Sequence, residues 1–180
     1  MPNWVMNSAK ITGPRDKVSQ LAIDIRKQND IEGGGVCNAV IPCPQELLNR
    51  TDDDKFMPEW YIWRSNNWGT KWDFMPLDEP GYDLIDDDTA VFEMSFDTAW
   101  APPLALYDKL VEQGFEVAAD YFEPGMCFTG AYDNGIDETY DWSDEDSSTI
   151  EDAVPEFLVD KYGLKEMLEE MEEEEMEDED

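Results

Sequence analysis

The chain has 180 residues, with 45 Asp plus Glu against 12 Lys plus Arg and no histidine, a formal net charge of −33. Hydrophobic residues make up 41% and aromatics 12%, enough apolar surface for a core, which excludes a disordered polyanion. Without an imidazole, Ser-His-Asp, Cys-His and HExxH chemistries are excluded, and no GxxxxGK[ST] or GxGxxG run is present to hold phosphates.

Along the chain, NWVMNSAKITG (3–13) predicts a first strand, closed by Gly13-Pro14. The helix expected next carries Val18, Leu21, Ala22 and Ile25 on one face, at helical spacing. Gly33 to Gly35 read as a flexible turn, VCNAVIP (36–42) as a short buried strand stopped by Pro42, and PQELLNR as a helical turn. A charged loop, TDDDK (51–55), precedes a tryptophan-rich stretch. TAVFEMSFDT (89–98) alternates Val91, Glu93, Ser95 and Asp97 with Ala90, Phe92, Met94 and Phe96, the period of a half-buried strand. APPLALYDKLVEQG predicts a helix with Leu106, Tyr107, Leu110 and Val111 on one face and Gly114 at its end. FEVAADYF and MCFTGAYD read as strands, and Asn134-Gly135 as a type I′ hairpin leading into IDETYDW. SDEDSST (143–149) reads as a linker, followed by a short helix ended by Gly163 and a Glu-rich helix.

This order predicts an α+β fold, ferredoxin-like, with a mostly antiparallel sheet and helices on one face, plus an acidic C-terminal helical extension. The expected division is a domain over 1–142 and an acidic linker, short helix and tail over 143–180. The expected core includes Val18, Leu21, Ile25, Phe92, Met94, Phe96, Leu106, Leu110 and Phe128. Cys37, Cys43 and Cys127 form no CxxC unit and read as buried thiols of a reducing compartment, so no metal or cofactor is expected. No apolar run approaches the ~20 residues of a membrane span and the first residues are no signal peptide, so a cytoplasmic protein is expected.

MPNW at the start, NWGTKWD (67–73) and FDTAWAPP (96–103) together resemble the YubB-type family of phage and plasmid proteins. The resemblance covers roughly residues 1–142 and implies a ferredoxin-like domain of mobile-element origin, not a mechanism. Relatives often begin MPNWC where this chain has Val5, which argues against a role for a cysteine there.

Four tryptophans fall within residues 60–72, together with Arg64 and Lys71. A nucleic-acid platform needs aromatics in a cationic groove, and the acids flanking this stretch repel phosphate, so direct nucleic-acid binding is not expected. Trp68 and Trp72 are expected in the core, with Gly69 allowing close approach and Lys71 over an indole or paired with Asp73.

Charge is the remaining functional feature. Residues 133–180 hold 22 acids and two lysines, and residues 1–132 hold 23 acids and ten bases, so the excess is not confined to a tail. A globule of this length is roughly 40 Å across, and B-DNA carries about 24 charges over that distance. Solubility needs a net charge of only about 2–8 in magnitude. The reading is a DNA mimic that enters the basic groove of a nucleic-acid-binding host protein, and the mobile-element resemblance implies a restriction or CRISPR-type nuclease. The expected contact residues are Asp86, Asp87, Asp88, Asp133, Asp137, Glu138, Asp141, Asp144, Glu145, Asp146, Glu151 and Asp152. One alternative is a non-inhibitory acidic interaction domain with a solvated tail. Another is calcium binding at DWSDEDSSTIED (141–152), which lacks the glycine and the bidentate Glu of an EF-hand loop.

Overall fold

The computed structural model describes residues 3–48, 50 and 57–178, so the loop expected over 51–55 lies outside the described residues. Period-two alternation builds the central strand: Val5, Asn7, Ala9 and Ile11 are buried while Trp4, Met6 and Lys10 are exposed, giving β1 (Trp4–Pro14). α1 (Arg15–Lys27) follows and buries Val18, Leu21 and Ile25. After a 3₁₀ turn come α2 (Val36–Val40), α3 (Gln45–Leu48) and α4 (Glu59–Asn67). The edge strand β2 (Gly81–Leu84) precedes β3 (Thr89–Ala99), α5 (Leu104–Glu112) and β4 (Glu116–Glu123). β5 (Phe128–Asp133) and β6 (Ile136–Asp141) form a hairpin, with Asn134 and Gly135 at φ 48° and 97°, as a type I′ turn requires. The six strands are all antiparallel, in the order β2-β3-β1-β4-β5-β6.

α1, α2 and α5 cover one face. Their core includes Ile11, Val18, Ile25, Phe92, Phe96 and Leu110. Of the expected core residues, Phe128 is half-exposed, because it opens β5 opposite Asp141 on the edge strand, and so is Trp72. Cys127, expected to be buried with Cys37 and Cys43, is also half-exposed, in the turn before β5 with a positive φ of 55°.

Two expectations are corrected. Residues 36–40 are a helix, not a strand, for a reason that lies far along the chain. The Asp73 carboxylate accepts the N–H groups of Cys37 and Asn38, both at 2.8 Å, and the Phe74 carbonyl accepts that of Val36. This satisfies the donors that open a helix. Gly35 is required there, since a Cβ would collide with Asp73 and the Phe74 carbonyl.

Nor do the helices keep to one face. α6 (Ile150–Ala153), α7 (Glu156–Tyr162) and α8 (Leu164–Asp178) pack on the other side of the sheet. Phe122 explains this. It alternates with the inward Val117, Ala119 and Tyr121 of β4, so it faces away from the first core and seeds a second. Its ring stacks on Tyr162 at 4.9 Å and Trp142 at 6.0 Å, and Ile150, Val154, Leu158 and Leu164 complete the cluster. Gly163, at φ 60°, breaks the chain between α7 and α8. Among the described residues, no helix is long and apolar enough to cross a membrane.

Candidate interaction site

The tryptophan-rich stretch is internal. Arg64 of α4 is buried with its guanidinium 4.9 Å from the Trp60 ring and 5.5 Å from the Trp68 ring. Its Nη2 donates to the carbonyls of Leu47, Leu48 and Arg50 at 3.0, 2.6 and 3.2 Å, capping the end of α3. Trp68 is fully buried, donates Nε1–H to the Ile41 carbonyl at 3.0 Å and meets Trp63 edge-on. Gly69, at φ 82°, lets the backbone run against Leu104. Lys71 lies 4.8 Å over Trp72. Trp72, expected in the core, is only half-buried and leans on the exposed Trp4 at 5.9 Å. Burial pushes the Asp73 carboxyl up to about 6, against the backbone donors that pull it down. Burial likewise pushes up the thiols of Cys37, Cys43 and Cys127, which disfavours thiolates.

The predicted contact acids are at the surface: Glu145 is half-buried and the other eleven are exposed. The fold divides them. Asp86, Asp87 and Asp88 lie in the turn between β2 and β3, at one edge of the sheet. Asp133, Asp137, Glu138 and Asp141 lie on the β5–β6 hairpin at the opposite edge, with Asp144, Glu145, Asp146, Glu151 and Asp152 following it. Five inter-strand steps of ~4.8 Å, about 24 Å, separate β2 from β6.

Several of these carboxylates organise their own backbone. Asp86 accepts from the N–H of Asp88 at 2.9 Å and of Thr89 at 2.7 Å. Asp141 accepts from Ser143, and Asp146 from Ser148 and Thr149. These bonds hold all three carboxyls below their ordinary range and keep them ionised. Asp137 accepts from the Tyr121 hydroxyl at 2.9 Å, and Glu151 pairs with Lys165 at 2.9 Å. Ser147 donates through both N–H and Oγ to Glu172, tying α8 to the turn. The acids considered for calcium thus close local turns, and among the described residues no group of three or more His, Cys, Asp or Glu could hold a metal ion.

A second surface was not legible in the sequence. On the side of the sheet away from α1, α2 and α5, part of the face is bare around β1 and β3. Ser8, Lys10, Glu93, Ser95, Ala118 and Asp120 line a trough of 710 Å³, with Phe157 of α7 on one side and the 78–81 segment on the other. A second hollow, of 570 Å³, is lined by Trp4, Met6, Leu77 and Asp97, with Met6 and Asp97 two residues along β1 and β3 from Ser8 and Ser95. Lys10 pairs with Glu93 at 3.4 Å, and Asp120 accepts Lys161 at 2.7 Å and the Tyr162 hydroxyl at 2.5 Å. Asp97 Oδ1 is shielded from solvent without a hydrogen-bond partner, and burial raises its carboxyl pKa. The alternation of 89–98 does put Glu93, Ser95 and Asp97 on this face, but nothing local announces the walls.

A scan against protein-family models finds no match, and a search of curated proteins finds none either. Among solved structures, the chain is similar to the crystal structure of protein api92 from Yersinia pseudotuberculosis, described with the family designation DUF1281. Identity is 13% and the TM-score 0.40, over 78% of this chain and 98% of that one.

Proposed function

We propose that this protein is a phage- or plasmid-encoded acidic DNA mimic. It occupies the basic nucleic-acid groove of a cytoplasmic host defence enzyme of the restriction or CRISPR-type nuclease class. The observation that carries the proposal is the display of carboxylates on ordered backbone rather than on a tail alone. An extended strand advances ~3.4 Å per residue, the same as the rise between phosphates on one DNA strand. Along β6, Asp137 and Asp141 share one face four residues apart and Glu138 lies on the other, so this strand displays its acids more sparsely than a DNA strand displays phosphates, with Asp133 across the hairpin. α8 places nine Asp or Glu and one Lys on 15 residues. At ~1.5 Å per residue that is about 22 Å, or one net charge per ~3 Å, near the spacing on a single DNA strand.

A ferredoxin-like reading of the sheet is supported by its order. β1-α1-β2 and β3-α5-β4 each return to a parallel strand with one antiparallel strand left between, the split β-α-β pattern, extended here by β5 and β6. Membership of the YubB-type family belongs to the same reading and rests on the sequence motifs.

The test is displacement from DNA. Added to DNA-cellulose carrying a bacterial lysate, the protein should release a nuclease and block its cleavage, less so as salt rises, because the contacts are exposed ion pairs. Asp137→Asn, Glu138→Gln and Asp141→Asn together should weaken release. If no nucleic-acid-binding protein leaves the column at low salt, the mimic reading fails and an acidic interaction domain remains.

A further inference from the structure

We propose that the bare part of the second sheet face is a docking groove for a cationic, amphipathic α-helix of a partner protein. This surface is distinct from β6 and α8, and the proposal stands whether or not those act as a DNA mimic.

An antiparallel sheet often keeps one face in water, and such a face is polar. This one is not uniformly so. Phe157 lines the trough and Trp4, Met6 and Leu77 the hollow, and these large apolar side chains are 55%, 48%, 42% and 62% exposed. Exposed aromatic and Met side chains in a concave surface mark protein contacts. α6–α8 already cover part of this face through Phe122, which shows that it accepts helices.

The backbone decides the form of the occupant. β1 is hydrogen-bonded on both sides, to β3 and to β4, so the floor has no edge to which an extended peptide could add. Recognition there must come from side chains. From β3 across β1 to β4 is two inter-strand steps, ~10 Å, close to the ~10–12 Å diameter of a helix with its side chains. Ser8, Ser95, Ala118 and Ala131 keep the floor low enough for such a helix to approach.

Charge decides its chemistry. Asp78, Glu79, Glu93, Asp97, Asp120 and Asp133 line the trough and the hollow; Glu93 is paired with Lys10, Asp120 with Lys161 and Glu79 at 3.9 Å with Arg26, which leaves the lining net acidic. A helix with a Leu-rich stripe on the four apolar anchors and Lys or Arg along both borders matches the surface.

The probe is a synthetic helical peptide of Leu and Lys with an amphipathic pattern, compared with a scrambled peptide of the same composition. The amphipathic peptide should bind at least about tenfold more tightly, and amide shifts should map to Ser8, Ser95 and Ala118. Met6→Ser with Phe157→Ser should remove that advantage, by about tenfold, while Tm is retained, since both side chains are exposed. Asp137→Asn with Glu138→Gln should weaken both peptides alike and leave their ratio unchanged. Equal binding of the two peptides, or shifts confined to β6 and α8, overturns the proposal, as does self-association that Phe157→Ser abolishes, which would make a second copy the occupant. Release of a nuclease from DNA-cellulose should be insensitive to the Met6 and Phe157 substitutions, so failure of the groove and failure of mimicry are separable.

Discussion

The tryptophan-rich stretch around α4 and the acidic stretch from 133 onward handle charge in opposite ways. Around α4 a cation is taken inside: Arg64 lies between the Trp60 and Trp68 rings and donates to three carbonyls. Beyond Asp133 the described carboxylates are exposed, apart from the half-buried Glu145 and Glu172, and Phe122, Trp142, Ile150, Leu158 and their neighbours hold the helices from within. A buried charge demands partners fixed from several segments, so the first region is tied into the main core. An exposed charge demands only an apolar stripe beneath it, and here like charges push against that stripe. The second region should therefore be the softer of the two.

The largest test is at Trp68. Trp68→Ala should cost about 3–5 kcal/mol in urea denaturation, because the ring is fully buried and its Nε1–H is bonded to Ile41. Trp72→Ala should cost about 1 kcal/mol, the usual size for a half-buried position. Equal losses would mean that the stretch is not divided into core and rim as described.

Leu158→Ala probes the other region, where a loss of about 2–4 kcal/mol is expected from a fully buried leucine. Hydrogen exchange should show 150–178 opening while β1, β3 and β4 stay protected. If the whole sheet opens with the helices, the two regions form one cooperative unit and the contrast in stiffness is wrong.

How far the sequence reaches can be seen in the same elements. β1, β3, α1 and α5 were legible because each buries one face of its own periodic pattern. α2 was not: VCNAV has strand-like residues, and what makes it helical is Asp73, whose carboxylate returns from a distant turn to cap it. β2 was invisible because all four residues are exposed and it is held as a strand by β3 alone. Helices matching α7 and α8 were expected, but not α6 nor the face all three choose, which is set by Phe122 being one residue out of phase with Tyr121. The acids were legible as surface, whereas the trough needs β1, β3, Pro80 and Phe157 brought together in space.

Asp73 offers a pH test of the first region. Its carboxyl holds a proton up to about pH 6 in the fold, against about 3.9 in the unfolded chain. Between those values the native state binds more protons, so stability should fall as pH rises from about 4 to 6, by on the order of 2–3 kcal/mol. Asp86, Asp141 and Asp146 act in the opposite sense, since their lowered values give stability that is lost as pH falls below the ordinary carboxylate range. Urea titrations at pH 5 and pH 7 test the sign. Asp73→Asn should flatten the slope while lowering stability at both values, because an amide nitrogen would face the Asn38 N–H. An unchanged slope in that variant would assign the pH dependence to the acidic surface instead.

The smallest effect should be in α8, and it separates stability from binding. Glu169 and Glu173, and Glu170 and Glu174, are like charges one helical turn apart, and the acids near its C-terminal end oppose the helix dipole. Glu173→Gln and Glu174→Gln should each stabilise the helix by about 0.2–0.5 kcal/mol, read as increased helicity by far-UV circular dichroism. Added salt should produce part of the same gain, because it screens the same repulsion. If α8 presents these acids to a basic groove, the variants should release less nuclease from DNA-cellulose even as the helix becomes firmer. A cationic partner then supplies what the glutamines supply in its absence, relief of repulsion along one face. Should the variants gain helicity and keep full release, α8 is a solvated helix and the mimic contacts lie on the β5–β6 hairpin.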